Sequence, residues 1–504
     1  MTKTKKEGQV FTPPSIVKEI LNRIGFVGTN CLTKKIIEPS FGNGAFLIEI
    51  LDRIISFAQE NNISDKVISK IISENVWGIE KDPDLYQEAV EKIQELYKTK
   101  GLNIELPHLI CGDTIVEYPQ LQGVFDFVVG NPPYVRIHNI DSDVRTALNS
   151  LKFCKGNTDL YIAFFEIGLL LLNHTGRLGY ITPNSFLRNS SQRKFRNYLL
   201  DNHLISYIHN FKQHQVFDDA LVYACICGLD KQGSNLEFYY GEGADLSVPK
   251  ETLSVAAVKE LFSDRGWCLG KSTMQWITDL KKRPHSIQEF ATVQNAISTN
   301  ADGLYTGNAY LDKNGTKSYV GRHTDPRKLV YFNGHQIESD ILHRCVKCST
   351  YSGDIKNHYI LYPYKKTESG VIPIDETTLK TSYPLAYNYL LKHKAILEVR
   401  DMDRNTPWYA FARNQGLAKM DNPKLVFKHI NPVDADKIDV HALPPDVVVY
   451  AGLFVTCDKI EDLYRVKNIL ESKDFARWCG IVGQTKAGGY AAIGSKDVKD
   501  FRFD

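Results

Sequence analysis

A chain of 504 residues, 43% hydrophobic and 24% charged, has the makeup of a folded protein of two or three domains. Its formal net charge of +2 excludes a globally basic nucleic-acid binder, so any surface for a polyanion must come from local sorting of charge. The ten cysteines follow no disulfide framework and the opening MTKTKKEGQ has no apolar stretch of a secretory signal, so free thiols in a reducing cytoplasm are expected.

Taken in chain order, the first half alternates strand and helix patterns. Ile36-Ile37 lead into Glu38-Pro39-Ser40-Phe41-Gly42-Asn43-Gly44, and an amphipathic run follows to about Gln59. Strands are expected at 76–80, 109–113 and 125–130, with a helix over 82–97 between the first two. Helices over 159–172 and 191–202 alternate with strands at 179–182, 205–208 and 221–227. The first of these helices is the most apolar run, but it contains Glu166 and is too short to span a bilayer, so it reads as a buried helix and no membrane is implied. Strands separated by helices predict an α/β fold with a doubly wound, mainly parallel sheet. The rhythm stops near the turn-rich Asp230-Lys231-Gln232-Gly233-Ser234-Asn235. The expected division is a first domain over 1–240, a linker over 241–270 and a second, mixed α+β domain over 271–504. Cys345-x-x-Cys348 has no second ligand pair at zinc spacing, so two ordinary thiols are expected there and no metal.

In doubly wound sheets ligands sit beyond the carboxyl ends of the strands, and polar clusters mark those ends here. The glycines of Glu38-Pro39-x-x-Gly42-x-Gly44-x-Phe46 let the backbone turn tightly and approach a ligand, but no Lys-Ser/Thr follows for a triphosphate. Glu80 ends the second strand, where a carboxylate can accept from ribose hydroxyls; a solvated side chain is the plain alternative. Asp113 ends the third and can accept from an adenine amine, or simply cap a helix. Glycine backbone, ribose acceptor and adenine acceptor in order describe an adenosine ligand without phosphates, which suggests S-adenosylmethionine.

The fourth strand, Phe125-Asp126-Phe127-Val128-Val129-Gly130, stops at Asn131-Pro132-Pro133-Tyr134. An exocyclic amine such as adenine N6 is a poor nucleophile because its lone pair is delocalised into the ring. The Asn131 side-chain oxygen and the Pro132 carbonyl could each accept one amine hydrogen, freeing the lone pair, while the prolines hold the geometry rigid. Tyr134 offers a face for a base to stack on.

These pieces, with Gly8-Gln9-Val10-Phe11-Thr12-Pro13-Pro14 ahead of them and Asp159-Leu160-Tyr161-x-Ala163-Phe164, Gly176 to Leu187 and Gln215-Val216-Phe217 behind, resemble the gamma class of DNA adenine-N6 methyltransferases, the TaqI-like group of restriction–modification systems. The resemblance implies a Rossmann-like class I methyltransferase sheet followed by a target-recognition domain, and site-specific methylation of adenine in double-stranded DNA by base flipping. It makes Asn131, Pro132, Pro133 and Tyr134 the catalytic tetrapeptide. It assigns the cofactor to Phe11, Thr12, Pro13, Glu38, Pro39, Ser40, Gly42, Gly44, Phe46, Glu80, Asp113, Thr114, Asn131 and Phe164, and stacking of the flipped base to Tyr134 and Phe217. In the second half, Tyr359 to Tyr364, Arg400 through Trp408 to Arg413, and Gly488-Gly489-Tyr490 resemble the target-recognition domain, whereas Ala296 stands where the group has glycine. Candidate phosphate contacts are Lys281, Lys282, Arg283, Arg322, Arg327, Lys328, Lys365, Lys366 and Arg413.

The expected protein is thus a cytoplasmic, DNA-associated modification enzyme, acting as a monomer without an obligate protein partner, its restriction endonuclease encoded separately. Two rivals share the tetrapeptide. Release-factor glutamine N5-methyltransferases face the same amide-nitrogen problem but are shorter; modification subunits of multi-subunit restriction systems carry a helical domain ahead of the core. A catalytically silent DNA-binding protein is the third alternative, against which the intact Asn131, Pro132, Glu80 and Asp113 argue.

Overall fold

The computed structural model describes residues 11–135, 147–148, 150–154, 159–217, 222–247, 250–311, 329–368, 370–486 and 488–504. Of the residues singled out above, Gly8 to Val10, Arg322, Arg327 and Lys328 lie outside the described residues. The chain divides into two compact units, Met1–Trp276 and Ile277–Asp504.

Among the described residues the first unit is built on nine strands: β1 (Ile36–Glu38), β2 (Val76–Glu80), β3 (His108–Cys111), β4 (Phe125–Gly130), β5 (Leu172–Pro183), β6 (Ile205–Gln215), β7 (Tyr223–Asp230), β8 (Glu237–Glu242) and β9 (Glu251–Ser254). Their order is β3-β2-β1-β4-β5-β7-β6-β8-β9. β1 to β5 run parallel, and β7 is inserted antiparallel between β5 and β6. A 3-2-1-4-5-7-6 order with a reversed seventh strand is the Rossmann-like class I methyltransferase sheet that was expected.

Apolar spacing explains how the sheet is covered. In α1 (Pro14–Ile24), Ile16, Val17, Ile20, Leu21 and Ile24 form one buried stripe, and Gly25 at φ 85° ends the helix. The stripe sits so close to β5 that a Cβ on Gly179 would lie 2.7 Å from the Ile20 Cγ2. Helices α2 (Ala45–Glu60), α3 (Asp65–Asn75) and α4 (Pro83–Thr99) follow β1 and β2, and α4 starts on an Asp82 cap that accepts from Asp84 N at 2.9 Å. The apolar helix α5 (Leu160–Leu171) is buried on nearly every side. Its Glu166 accepts from the Lys152 and Phe153 N–H groups at 2.8 and 3.1 Å, which accounts for a carboxylate in that run. Among the described residues no helix is long and apolar enough to cross a membrane.

The stretch 241–270, expected as a linker, is part of this first unit. β8 pairs with β6 through Tyr207↔Tyr239, β9 pairs with β8, and α6 (Val255–Phe262) buries Val255, Val258, Leu261 and Phe262. These elements are short and are stabilised by long-range pairing, which local patterning does not show.

The second unit is mixed α+β. It contains a four-stranded antiparallel sheet (292–295, 453–456, 424–427, 440–443) and a second four-stranded sheet (306–307, 359–361, 342–347, 448–450). Cys345 and Cys348 are both buried, and burial raises both thiols, Cys348 to about 12. Arg400 ties several loops together: it donates to the carbonyls of Leu397 (2.9 Å), Thr299 (2.6 Å), Trp408 (2.6 Å) and Ala410 (3.0 Å). Arg400→Ala leaves these acceptors without their donor, so it is expected to destabilise the second unit by about 2–4 kcal/mol, read from denaturant unfolding.

Candidate active site

The order of strands reverses between β1 and β4, which pair in parallel through Ile36↔Phe127 and Ile37↔Val128. The carboxyl ends of these two strands therefore open a crevice, the place where such folds bind ligands. Glu38 stands at one lip and Gly130-Asn131 at the other.

Glu38 is 2% exposed, and its Oε2 is buried with no hydrogen-bond partner among the described residues. Burial raises its carboxyl well above the ordinary value, the Leu47 N–H at the start of α2 opposes this, and the Glu80 charge adds to it. A buried carboxylate oxygen without a donor is costly unless a ligand supplies one. Past Glu38 the chain turns through Gly42 at φ 53° and Gly44 at φ 88°, conformations that favour glycine, and enters α2 at Ala45. The Phe41 ring fills the space beside Gly78, where a Cβ would lie 2.7 Å from it.

Glu80 is buried, and its two oxygens are held by backbone: Oε2 accepts from Gly42 N and Oε1 from Asp82 N, both at 2.8 Å. Burial raises its pKa and these N–H groups oppose the shift. Asp113 takes the helix-cap role, accepting from Ile115 N at 3.0 Å, and its other oxygen meets Lys81 Nζ at 2.9 Å. Thr114 is buried and donates to the Pro39 carbonyl, which joins the end of β3 to the glycine loop. Thr12 is buried and Phe11 is 43% exposed just ahead of α1, whose first turn closes on the Pro13 carbonyl. Phe46 and Phe164, assigned to the cofactor on resemblance, are core positions at 1% and 5% exposure.

The tetrapeptide begins after Gly130 at φ 151°, a backbone that a Cβ would strain. Gly130→Ala is expected to cost about 1–3 kcal/mol of stability, checked by melting. Asn131 is half-buried with its side-chain oxygen inside, and Pro132 is buried. Two contacts anchor the chain beyond the diproline: Leu160 N donates to the Val135 carbonyl at 2.7 Å, and the Tyr134 hydroxyl donates to the Ile181 carbonyl at 3.4 Å. The Tyr134 ring meets Tyr161 and Phe217 edge-on, with centroids 6.5 and 6.3 Å away. Tyr161 in turn hydrogen-bonds Ser185 at 3.0 Å, a brace between α5 and the end of β5 that periodicity alone did not point to. Phe217 is 1% exposed and packed on Tyr134.

In the second unit the candidate phosphate contacts are mostly paired. Arg283 meets Asp474 at 2.7 Å, Arg413 meets Asp401 at 2.5 Å, Lys365 meets Asp375 at 3.3 Å and Lys366 meets Asp421 at 2.9 Å. Lys282 pairs with Asp279 of the helix Lys271–Lys281 that precedes it, whose last residue is Lys281. A phosphate would have to compete with these carboxylates.

Residues 33–217 match the family described as Eco57I restriction-modification methylase. The chain is 24% identical to the Escherichia coli Type II restriction enzyme and methyltransferase RM.Eco57I, over 97% of this chain and 56% of that protein, so it spans about half that relative's length. It is 25% identical to the Type II methyltransferase M.BanIII of Aneurinibacillus aneurinilyticus, over 86% of this chain and 78% of that one. Its fold is similar to that of the Type IIL restriction-modification enzyme MmeI, solved in complex with DNA, with a TM-score of 0.64 at 14% identity over 98% of this chain and 68% of MmeI. The segment that holds the crevice, from β1 to Phe217, is therefore the part of the chain that is similar to the Eco57I restriction-modification methylase family.

Proposed function

We propose that the chain is a DNA methyltransferase of a restriction–modification system that transfers a methyl group from S-adenosylmethionine to adenine N6 in duplex DNA. The observation that carries this reading is the anchored Asn131-Pro132-Pro133-Tyr134 corner beside the Glu38 carboxylate, at the point where the strand order reverses. The names of its relatives support it.

The crevice fits the cofactor. The Glu38 Oε2 is a buried acceptor in need of a donor, and the methionine ammonium is one; Glu80 keeps lone pairs for the ribose hydroxyls after its two backbone bonds. When bound, S-adenosylmethionine supplies an electrophilic methyl carbon on a sulfonium sulfur. Asn131 and the Pro132 carbonyl accept the two N6 hydrogens of a flipped adenine, which frees the nitrogen lone pair for in-line attack. Tyr134 supplies the stacking face, its phenol kept neutral by burial. Flipping costs a few kcal/mol of pairing and stacking, which the second unit must offset by holding the duplex. We assign to residues 1–504 modification alone, by a monomer that contains both catalyst and reader.

The test is incubation of the chain with methyl-labelled S-adenosylmethionine and unmethylated duplex DNA, followed by nucleoside analysis. Label in N6-methyladenosine is the expected result, and label in N4-methylcytosine would replace the target base. Label in protein alone would favour a glutamine methyltransferase, and firm DNA binding without transfer a silent binder.

A further inference from the structure

Near the end of the second unit, three short strands form a separate antiparallel sheet: Ile430–Pro432, Tyr490–Ala492 and Gln484–Lys486, with Tyr490–Ala492 in the middle. The register sorts its side chains. Lys486, Tyr490 and Pro432 stand in one row, and Gln484, Ala492 and Ile430 stand two residues along, on the same face. On the middle strand the residue between them points the other way: Ala491 is 3% exposed and its Cβ would lie 2.9 Å from one on Gly483, at the end of the helix Lys473–Val482.

So one face is packed and the other is presented. Of the six presented residues, Gln484, Lys486 and Pro432 are exposed, as are Tyr490 at 44% and Ile430 at 38%. None of the six is acidic, and Lys486 Nζ is held by the neutral Gln484 Oε1 at 3.0 Å, not by a carboxylate. This sets it apart from Arg283, Arg413, Lys365 and Lys366, whose charges are already answered within the unit. Lys428 is exposed just before the first strand. The turn that joins the outer strand Gln484–Lys486 to the middle strand includes Gly488 at φ 75° and Gly489 at φ 77°, conformations that favour glycine. The Gly489 carbonyl accepts from Val433 N at 2.9 Å, so the turn is pinned to the residue that follows the strand Ile430–Pro432.

The two strands that this turn joins make a pinned β-ribbon, and a two-stranded ribbon fits the width of the DNA major groove. Its Gln and Lys carry the donors and acceptors that read base edges, Ile and Pro suit a thymine methyl, and the Lys charges complement phosphate. We propose that this face of the ribbon, with Tyr490 on its middle strand and Gln484 and Lys486 on the strand beside it, enters the major groove of double-stranded DNA and reads part of the target sequence. The inference rests on the methyltransferase reading above and extends it by placing base recognition on named residues.

The test uses the full chain and its Gln484→Ala, Lys486→Ala and Tyr490→Ala variants. Each is incubated with S-adenosylmethionine and genomic DNA, methylated positions are mapped by single-molecule sequencing, and duplex binding is titrated against salt. Gln484→Ala should relax the target motif at one position, with discrimination there falling about tenfold to a hundredfold. Lys486→Ala should weaken binding and lower the slope of log K against log salt by about one. Unchanged motif, rate and salt slope in all three variants, with an active wild type, would overturn the ribbon's role and leave the methyltransferase reading standing. A wild type that methylates no DNA would end both. A variant that turns a dimer into a monomer in light scattering, with its motif unchanged, would make the face a contact between copies and overturn the proposal.

Discussion

Asn131→Ala is expected to lower the rate of methyl transfer roughly 10²–10³-fold while leaving cofactor binding within a few-fold of the wild type. In the proposed mechanism the substitution removes one of two acceptors for the amine hydrogens. The Pro132 carbonyl alone cannot hold both N–H bonds out of the base plane, so the lone pair stays in the ring. Little else should change, because the corner is held by other groups: Leu160 N on the Val135 carbonyl, and the Tyr134 hydroxyl on Ile181. Single-turnover rates at saturating DNA, with calorimetric titration of S-adenosylmethionine, separate the two effects. A parallel loss of affinity would mean that Asn131 holds the cofactor and not the amine. Asn131→Asp should not rescue the rate, because it would put a third carboxylate near Glu38 and Glu80, whose charges already repel.

Glu38→Gln should act in two opposite directions. A hydrogen bond to a charged group is worth about 1.5–3 kcal/mol, so, in the proposed complex, losing the carboxylate that would meet the methionine ammonium should weaken cofactor binding roughly tenfold to a hundredfold. Without cofactor the same substitution should stabilise the first unit by about 1–2 kcal/mol at neutral pH, since it removes a buried ionisable group with an unpaired oxygen. The pH dependence comes from the direction of the shift. The folded pKa lies above the ordinary 4.5, so above that value the folded state holds a proton that the unfolded state has lost. Stability of the wild type therefore falls as pH rises from about 4.5 through the folded pKa, and the advantage of Gln narrows as pH is lowered again. Melting curves of the first unit at pH 5 and pH 7.5, with and without S-adenosylmethionine, check both signs. Equal melting of the two proteins at both pH values would show that Glu38 is not strained.

The strand ends of the first unit were legible because each combines an apolar run with residues that cannot continue it. Gly130-Asn131-Pro132 stops β4 where expected, and Glu38 and Glu80 are the last residues of β1 and β2. What was misread depends on partners distant in sequence. Nothing near Arg283 signals Asp474, 191 positions away, and nothing near β8 signals β6. The second unit was hard to read for the same reason: its strand Leu342–Lys347 pairs in parallel with Val448–Tyr450, about a hundred residues on. Phe217 shows the complementary limit. Its place in the chain matches a base-stacking segment and its ring is buried against Tyr134, and the chemistry of a phenyl ring is the same in a core as in a pocket.

The carboxylate of Glu80 does more than end a strand. By gripping Gly42 N with one oxygen and Asp82 N with the other, it welds the glycine turn after β1 to the first turn of α4. In the proposed complex the sugar and the amino-acid tail of one ligand would then be gripped by a single stiff fitting. Its orientation would be set in advance, so little rotational entropy would be lost on capture, and damage to either end would be felt at the other.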